Sequence, residues 1–352
     1  MRVAMFSPVW FPVPPDRYGG IEAMVQLLTD GLVDAGVDVT LFASGDSRSK
    51  APIVSAFDTA PSNRIGESYW ELQHLLPMLE QRDEFDVVHD HSGLVGLTML
   101  GLAGCSLLHT VHGPLTGDPG PVYRKACDIV PDAGLVSLTH NQRRPEPRLP
   151  WVANVPNAVD VSRHTLDRDP GDDLLFLGRM SPDKGAHRAI RVAKRVGRRL
   201  DIAAKCREPG EKAYFDEYVA PHLDDDIRYV GEVDHDEKCA FPSRAHALLV
   251  PIEWEEPFGL VMVEALASGT PVVAVRRGSV PEILRHGETA LIANDLAEMV
   301  ALVDRVGELD PARLRVEAET RFSIDKMVEG YLEAYETMIG RNEREPVLSA
   351  VA

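Results

Sequence analysis

Short apolar runs recur along the chain, and the stretches between them carry helical spacing. In the first half the runs fall at 3–6, 37–42, 86–89, 107–111 and 135–138. Nearly continuous apolar character over so few residues is what a strand covered on both faces needs. Between the first two runs, 21–32 sets Met24, Leu27, Leu28 and Leu32 on one helical face, with Gly36 closing the helix. The proline-rich span 142–150 reads as a loop at the edge of this domain. A second series begins at 174–177 and continues at 202–204, 227–230, 247–250, 272–275 and 290–292. Helices fall between these strands, for example 186–199, and a final helix follows over 324–339. Strands alternating with helices predict an α/β protein with parallel sheets. With the polar segment 159–173 as linker, the two series predict two Rossmann-like, doubly wound domains, whose ligands bind outside the C-terminal strand ends.

A length of 352 residues suits two domains. The formal net charge of −18 argues against nucleic acid or an anionic membrane surface as a general partner. It also means that an anionic ligand needs a local cluster of cations and amides. Cys105, Cys127, Cys206 and Cys239 are widely spaced, which disfavours a disulfide framework or structural zinc and predicts buried, reduced thiols. The chain opens directly with a strand, so no cleavable signal is expected, and the most apolar run, 93–108, is too short and glycine-rich for an integral membrane segment. The expected location is the cytoplasm.

The most informative stretch is Glu256-Pro-Phe-Gly-Leu-Val-Met-Val-Glu264, followed by Ala-Leu-Ala-Ser-Gly-Thr-Pro-Val-Val273. Pro257 suits the first turn of a helix, Gly259 leaves room for a ligand at backbone amides, and 261–267 reads as the helix itself. Two turns of helix would separate the carboxylates by on the order of 12 Å. Glycosidase carboxyls stand roughly 5–9.5 Å apart across one bond, so this pair more naturally grips two ends of one elongated ligand. Gly178-Arg-Met-Ser-Pro-Asp-Lys-Gly185 lies between a strand and a helix and is neither a Walker loop nor a dinucleotide fingerprint. Arg179 and Lys184 there suit a diphosphate. Gly19 and Gly20, at the start of the first helix, can offer bare amides to a phosphate, or can serve as a simple hinge. Glu22 beside them reads as a helix N-terminal charge or an acceptor contact.

Histidines gather at His89-Asp90-His91, at His109-Thr-Val-His112 and at His140, but their spacing matches no metal-ligand set. Alternation on a strand puts His89 and His91 on one side and Asp90 on the other, and His109 reads as packing. The triplets at 167–169 and 234–236 fit Asp-x-Asp too loosely to imply a metal. Arg188, Arg191, Lys194, Arg195 and Arg198 read as a solvated helix face.

Taken together, the Glu256–Glu264 motif, the Gly178–Gly185 loop, the Thr110-Val-His112-Gly113 element and Pro156-Asn-Ala-Val-Asp160 resemble the family 4 retaining glycosyltransferases. The Pro-Pro-x-x-Tyr-Gly-Gly-Ile-Glu opening is similar to a branch that includes antibiotic-tailoring transferases such as those of avilamycin assembly. The resemblance implies the GT-B fold, with an acceptor-side domain over 1–157, a donor domain over 158–323, a helix in 324–352 crossing back to the first domain, and a central cleft. It implies transfer from a nucleoside-diphosphate sugar to a hydroxyl of a small-molecule or saccharide acceptor, with no metal or other cofactor. By the same resemblance Glu264 binds the ribose, and Arg179 and Lys184 bind the diphosphate. Glu256 with the amides at Phe258, Gly259 and Leu260 holds the sugar, Gly19 and Gly20 lie beside the phosphates, and His112 contacts the sugar. Arg179, Lys184, Glu256 and His112 are the expected catalytic residues. A GT-B phosphorylase or donor hydrolase, or a silent nucleotide-sugar-binding protein, would share this scaffold; intact Arg179, Lys184, Glu256 and Glu264 argue against silence.

Overall fold

The structure, a computed structural model, describes residues 1–166 and 171–344. The chain forms two compact units. One comprises Met1–Pro15, Gly19–Asn157 and the helix Ile324–Arg344. The other comprises Ala158–Ser323 together with Asp16–Tyr18, three residues that lie early in the chain yet cluster with the second unit.

The first unit is built on seven strands: β1 (Arg2–Phe6), β2 (Asp38–Phe42), β3 (Ile53–Val54), β4 (Val87–Asp90), β5 (Leu107–Thr110), β6 (Gly134–Ser137) and β7 (Trp151–Asn154). They run parallel in the order β3-β2-β1-β4-β5-β6-β7. β1, β4, β5 and β6 are almost wholly buried, which is why their sequence is apolar without alternation. β3 and β7 escape the hydrophobic pattern because each is an edge strand, only half-buried. Ala4, Phe6, Phe42, Val88, Leu97, Leu107 and Leu135 belong to one core cluster on this sheet.

Within this unit the first helix, Gly20–Asp34, buries Met24, Val25, Leu28 and Leu32; Val25 takes the inward place expected of Leu27. The long helix Ile324–Arg344 packs on it and on β4, β5 and β7. Close approach explains Gly31, where a Cβ would meet Val328 and Ile324 side chains at 2.8 and 2.9 Å.

The second unit holds β8 (Leu174–Arg179), β9 (Leu200–Lys205), β10 (Ile227–Gly231), β11 (Ala247–Val250), β12 (Val272–Val275) and β13 (Leu291–Ala293). These are also parallel, in the order β10-β9-β8-β11-β12-β13. The helix expected over 186–199 stops at Val196, because Gly197 adopts the left-handed conformation (φ 68°) and caps it. The strand order reverses between β1 and β4 in one sheet and between β8 and β11 in the other. Loops leaving neighbouring strands at such a point diverge and leave a crevice, so residues 7–19 and 91–93, and residues 180–185 and 251–259, are topologically favoured for ligands. No described helix is long and apolar enough to cross a membrane.

Candidate active site

In the second unit, Arg179 is the last residue of β8 and Lys184 lies in the loop that follows. The motif loop 251–259 leaves β11, the adjacent strand. Arg188 stitches the two loops together: its Nε donates to Pro251 O (2.5 Å), Nη2 to Pro182 O and Asp183 O (3.1 and 3.3 Å), and Nη1 pairs with Glu253 at 2.6 Å. The Glu253 amide adds a bond to Asp183 O at 3.1 Å. Arg188 is only 3 % exposed. The expected solvated face is thus corrected at this residue: Arg191, Lys194 and Arg195 are exposed, whereas Arg188 is a buried strut.

This scaffold brings Lys184 onto Glu256 as an ion pair. Trp254 Nε1 donates to the same Glu256 Oε2 at 3.0 Å, and the Lys184 ammonium sits 4.6 Å from the Trp254 ring centroid. Glu256 is therefore oriented from two sides. Arg179 is half-buried and pairs with Asp183 at 3.3 Å, so its guanidinium retains donors for a further anion. Beside it, across the β8–β9 register, the buried Lys205 is held by Glu208 and, at 2.9 Å, by Glu211.

The helix in the motif begins at Leu260, with Gly259 (φ 83°) as its cap. Pro257 therefore precedes the helix rather than occupying its first turn. Glu256 is not helical either, so the two-turn estimate of carboxylate separation does not apply. The first helical donor is Met262 N, to Gly259 O at 3.0 Å, which places the amides of Phe258, Gly259 and Leu260 at the positive end of the helix. The Phe258 ring turns into the core against Phe322, so this residue offers its backbone alone. Ser279 locks the loop, donating from Oγ to Phe258 O (2.7 Å) and from N to Glu256 O (2.9 Å). Gly278 is glycine because a Cβ would lie 2.3 Å from Glu256 N.

Glu264, in the helix Leu260–Ala267, is 6 % exposed. Its Oε1 pairs with Lys238 Nζ at 2.6 Å, while its buried Oε2 has no hydrogen-bond partner among the described residues. A buried carboxylate oxygen without a donor costs about 1–3 kcal/mol, and hydroxyl groups of a ligand would relieve it.

In the first unit, Gly19 (φ 150°) caps the helix that Gly20 opens, and a Cβ on Gly19 would meet Pro15 at 2.7 Å. Glu22 in that first turn is buried, and burial pushes its carboxyl up to about 7; a plain N-terminal charge is thus not its state below that pH. The histidines obey the expected alternation. His89 and His91 rings lie 4.0 Å apart, while Asp90 accepts from Ser92 and pairs with His109 Nδ1 at 2.6 Å. His109 Nε2 meets Tyr123 OH at 3.2 Å, in keeping with a packing role. His89 is bonded to Tyr335 OH (2.7 Å) and Thr110 Oγ1 (2.8 Å). His112 is half-buried, with Nε2 2.9 Å from His91 Nδ1. Burial, reinforced by His109, pushes His112 down to about 3, so its ring is neutral at pH 7.

Among the described residues no three His, Cys, Asp or Glu side chains are grouped to hold a metal. Asp234 caps the helix His235–Arg244 and Asp236 pairs with Arg163 at 2.6 Å, whereas the triplet at 167–169 lies outside the described residues. All four cysteines are free; Cys127 and Cys239 are buried, but Cys105 and Cys206 are only half-buried, contrary to expectation. Sequence reasoning missed Trp254, Lys238, Arg188 and His91. Trp254 had a signal, an aromatic ring two residues before Glu256; the others meet their partners only across the fold.

The chain is similar to known proteins over most of its length. The model of glycosyl transferases group 1 matches residues 162–321, which contain Arg179, Lys184, Glu256 and Glu264. The model of Glycosyltransferase Family 4 matches 18–153, which contain Gly19, Gly20 and His112. A D-inositol 3-phosphate glycosyltransferase of Pseudarthrobacter chlorophenolicus is 29% identical over 83% of this chain and 83% of its own length. A glycogen synthase of Mycobacterium tuberculosis is 27% identical over 89% and 87%. Among solved structures, AviGT4, a glycosyltransferase involved in avilamycin A biosynthesis, is 25% identical with a TM-score of 0.68, covering 97% of this chain and 98% of its own. Anabaena Alr3699/HepE in complex with UDP and glucose has a TM-score of 0.76 at 17% identity, over 96% and 100%. Two doubly wound parallel sheets carrying these loops define a glycosyltransferase of the GT-B fold. More narrowly, the chain belongs to the family 4 glycosyltransferases.

Proposed function

We propose that the protein is a retaining, metal-independent glycosyltransferase that moves a sugar from a nucleoside-diphosphate sugar to a hydroxyl of a small-molecule or saccharide acceptor. The observation that carries the reading is the buried, unpartnered Oε2 of Glu264, in the helix that follows the loop bearing the Lys184–Glu256 pair. Ribose hydroxyls would satisfy Glu264, and Arg179 with Lys184 would take the diphosphate. Glu256 and the amides of Phe258, Gly259 and Leu260 would hold the sugar. Gly19, Gly20 and His112 of the first unit would serve the acceptor and the sugar being transferred.

In the reaction the bond from the anomeric carbon to the diphosphate breaks and a bond to the acceptor oxygen forms on the same face. The acceptor proton passes to the departing diphosphate. Negative charge grows on that group, and preorganised cations are worth most at such a place, with one lost donor costing roughly 2.7–4 kcal/mol. Residues 158–323 thus act as the donor domain, and residues 1–157 with the helix Ile324–Arg344 as the acceptor domain. Four free cysteines fit a reducing cytoplasm. The test is a thermal-shift screen against UDP-, GDP-, ADP- and dTDP-sugars with and without EDTA, followed by anomer analysis of any product. Stabilisation by none of them, or loss of turnover in EDTA, would overturn the reading.

A further inference from the structure

We infer that His91 is a positioning residue that fixes the tautomer of His112, so that His112 presents an N–H at Nδ1 rather than a lone pair. The inference deepens the transferase reading and rests on it for its role in the reaction. His91 follows β4 and His112 follows β5, neighbouring parallel strands, and this adjacency sets His91 Nδ1 2.9 Å from His112 Nε2. One of these nitrogens must carry the proton. His91 is 2 % exposed, and its Nε2 is buried with no hydrogen-bond partner among the described residues.

That orphan nitrogen decides the direction. Both rings are neutral, since burial holds each below its ordinary value. A neutral imidazole has one N–H and one lone pair. If His112 donated to His91, the His91 proton would sit on Nε2 and be a buried donor with no acceptor. If His91 donates from Nδ1, its Nε2 carries only a lone pair. Orphaned buried N–H groups are the rarer case in folded proteins, under-satisfied acceptors less so. His91 therefore donates, His112 accepts at Nε2, and the His112 proton resides on Nδ1. The Nδ1 of His112 makes no other hydrogen bond among the described residues. A donor there suits a sugar or acceptor oxygen, and a group that already carries its proton cannot take one from the acceptor hydroxyl.

The test is direct. Long-range 15N–1H spectra of histidine-labelled, ligand-free protein at pH 7.5 report which ring nitrogen is protonated, with His112→Gln and His91→Asn assigning the two signals. Both rings as the Nδ1–H tautomer is the expected result; both as Nε2–H overturns the inference without touching the transferase reading. In turnover, His91→Phe is expected to lower kcat about tenfold, near 1.4 kcal/mol, with the donor KM within about twofold. His91→Asn, which keeps a donor near the Nδ1 position, is expected to recover most of that loss. Equal impairment of the Phe and Asn variants, or an undiminished kcat in Phe, overturns the positioning role. Absence of transfer by the unaltered protein with every sugar nucleotide would instead count against the transferase reading, leaving the tautomer result to stand alone.

Discussion

Glu264→Gln separates ligand binding from stability at one oxygen. In the wild type Oε1 is matched by Lys238 and Oε2 is buried without a donor. Two ribose hydroxyls donating to the carboxylate make charge-assisted bonds, worth roughly 1.5–3 kcal/mol. The glutamine amide offers an N–H where the hydroxyl needs an acceptor. Affinity for the donor nucleotide is thus expected to fall about 10- to 150-fold. Stability without ligand should hardly change. The amide fills the same volume, one polar atom remains orphaned in either form, and the amide oxygen can still accept from Lys238. The assay is a thermal melt with the stabilising nucleotide at about 100 times its wild-type Kd. There the wild type gains roughly 2.7 kcal/mol, and a 100-fold weaker variant about 0.4 kcal/mol. An undiminished ligand-induced shift in Glu264→Gln would refute the argument, as would a loss of several kcal/mol in the ligand-free melt.

Arg179→Ala and Lys184→Met should both abolish transfer, but only Lys184→Met should also lower the melting temperature. It strands the Glu256 carboxylate, whereas Arg179 is partly exposed; comparing melts with turnover checks this. Arg188→Met removes the strut between the two loops, takes the donor from the carbonyls of Pro251 and Pro182, and should cost about 1–3 kcal/mol, while Arg191→Met on the exposed face stays within about 0.5 kcal/mol, as denaturant titration can show. Glu22 carries a folded-state value of about 7 against its ordinary 4.5, so its contribution is fully present below pH 4.5 and is lost as pH rises to 7. The difference in unfolding free energy between wild type and Glu22→Gln should therefore fall by on the order of 3 kcal/mol across that window; a flat difference would contradict the buried carboxyl.

Eleven of the thirteen strands stand in the sequence within two residues of their observed bounds, and so does the Gly178–Gly185 loop between β8 and its helix. These features are local. A strand buried on both faces must be apolar throughout, and a loop between strand and helix must carry its own glycines. β3 and β7 were hidden because half-buried edges impose no such pattern, and β9 shows only its inner three residues as a run. The start of the motif helix was misplaced because Pro257 satisfies a helix-start rule that Gly259, in a left-handed conformation, overrides.

What the linear order of residues determined, then, was the pair of parallel sheets, the segments bearing Arg179, Lys184, Glu256 and Glu264, and the family they resemble. Tertiary structure alone decided that Lys184 grips Glu256, that Lys238 takes one oxygen of Glu264 and leaves the other bare, that Arg188 turns inward, and that His91 meets His112. Each of those facts joins residues far apart in the chain or on neighbouring strands. Charge and hydrogen-bond complementarity depend on distance in space, which sequence spacing encodes only within a single helix or strand.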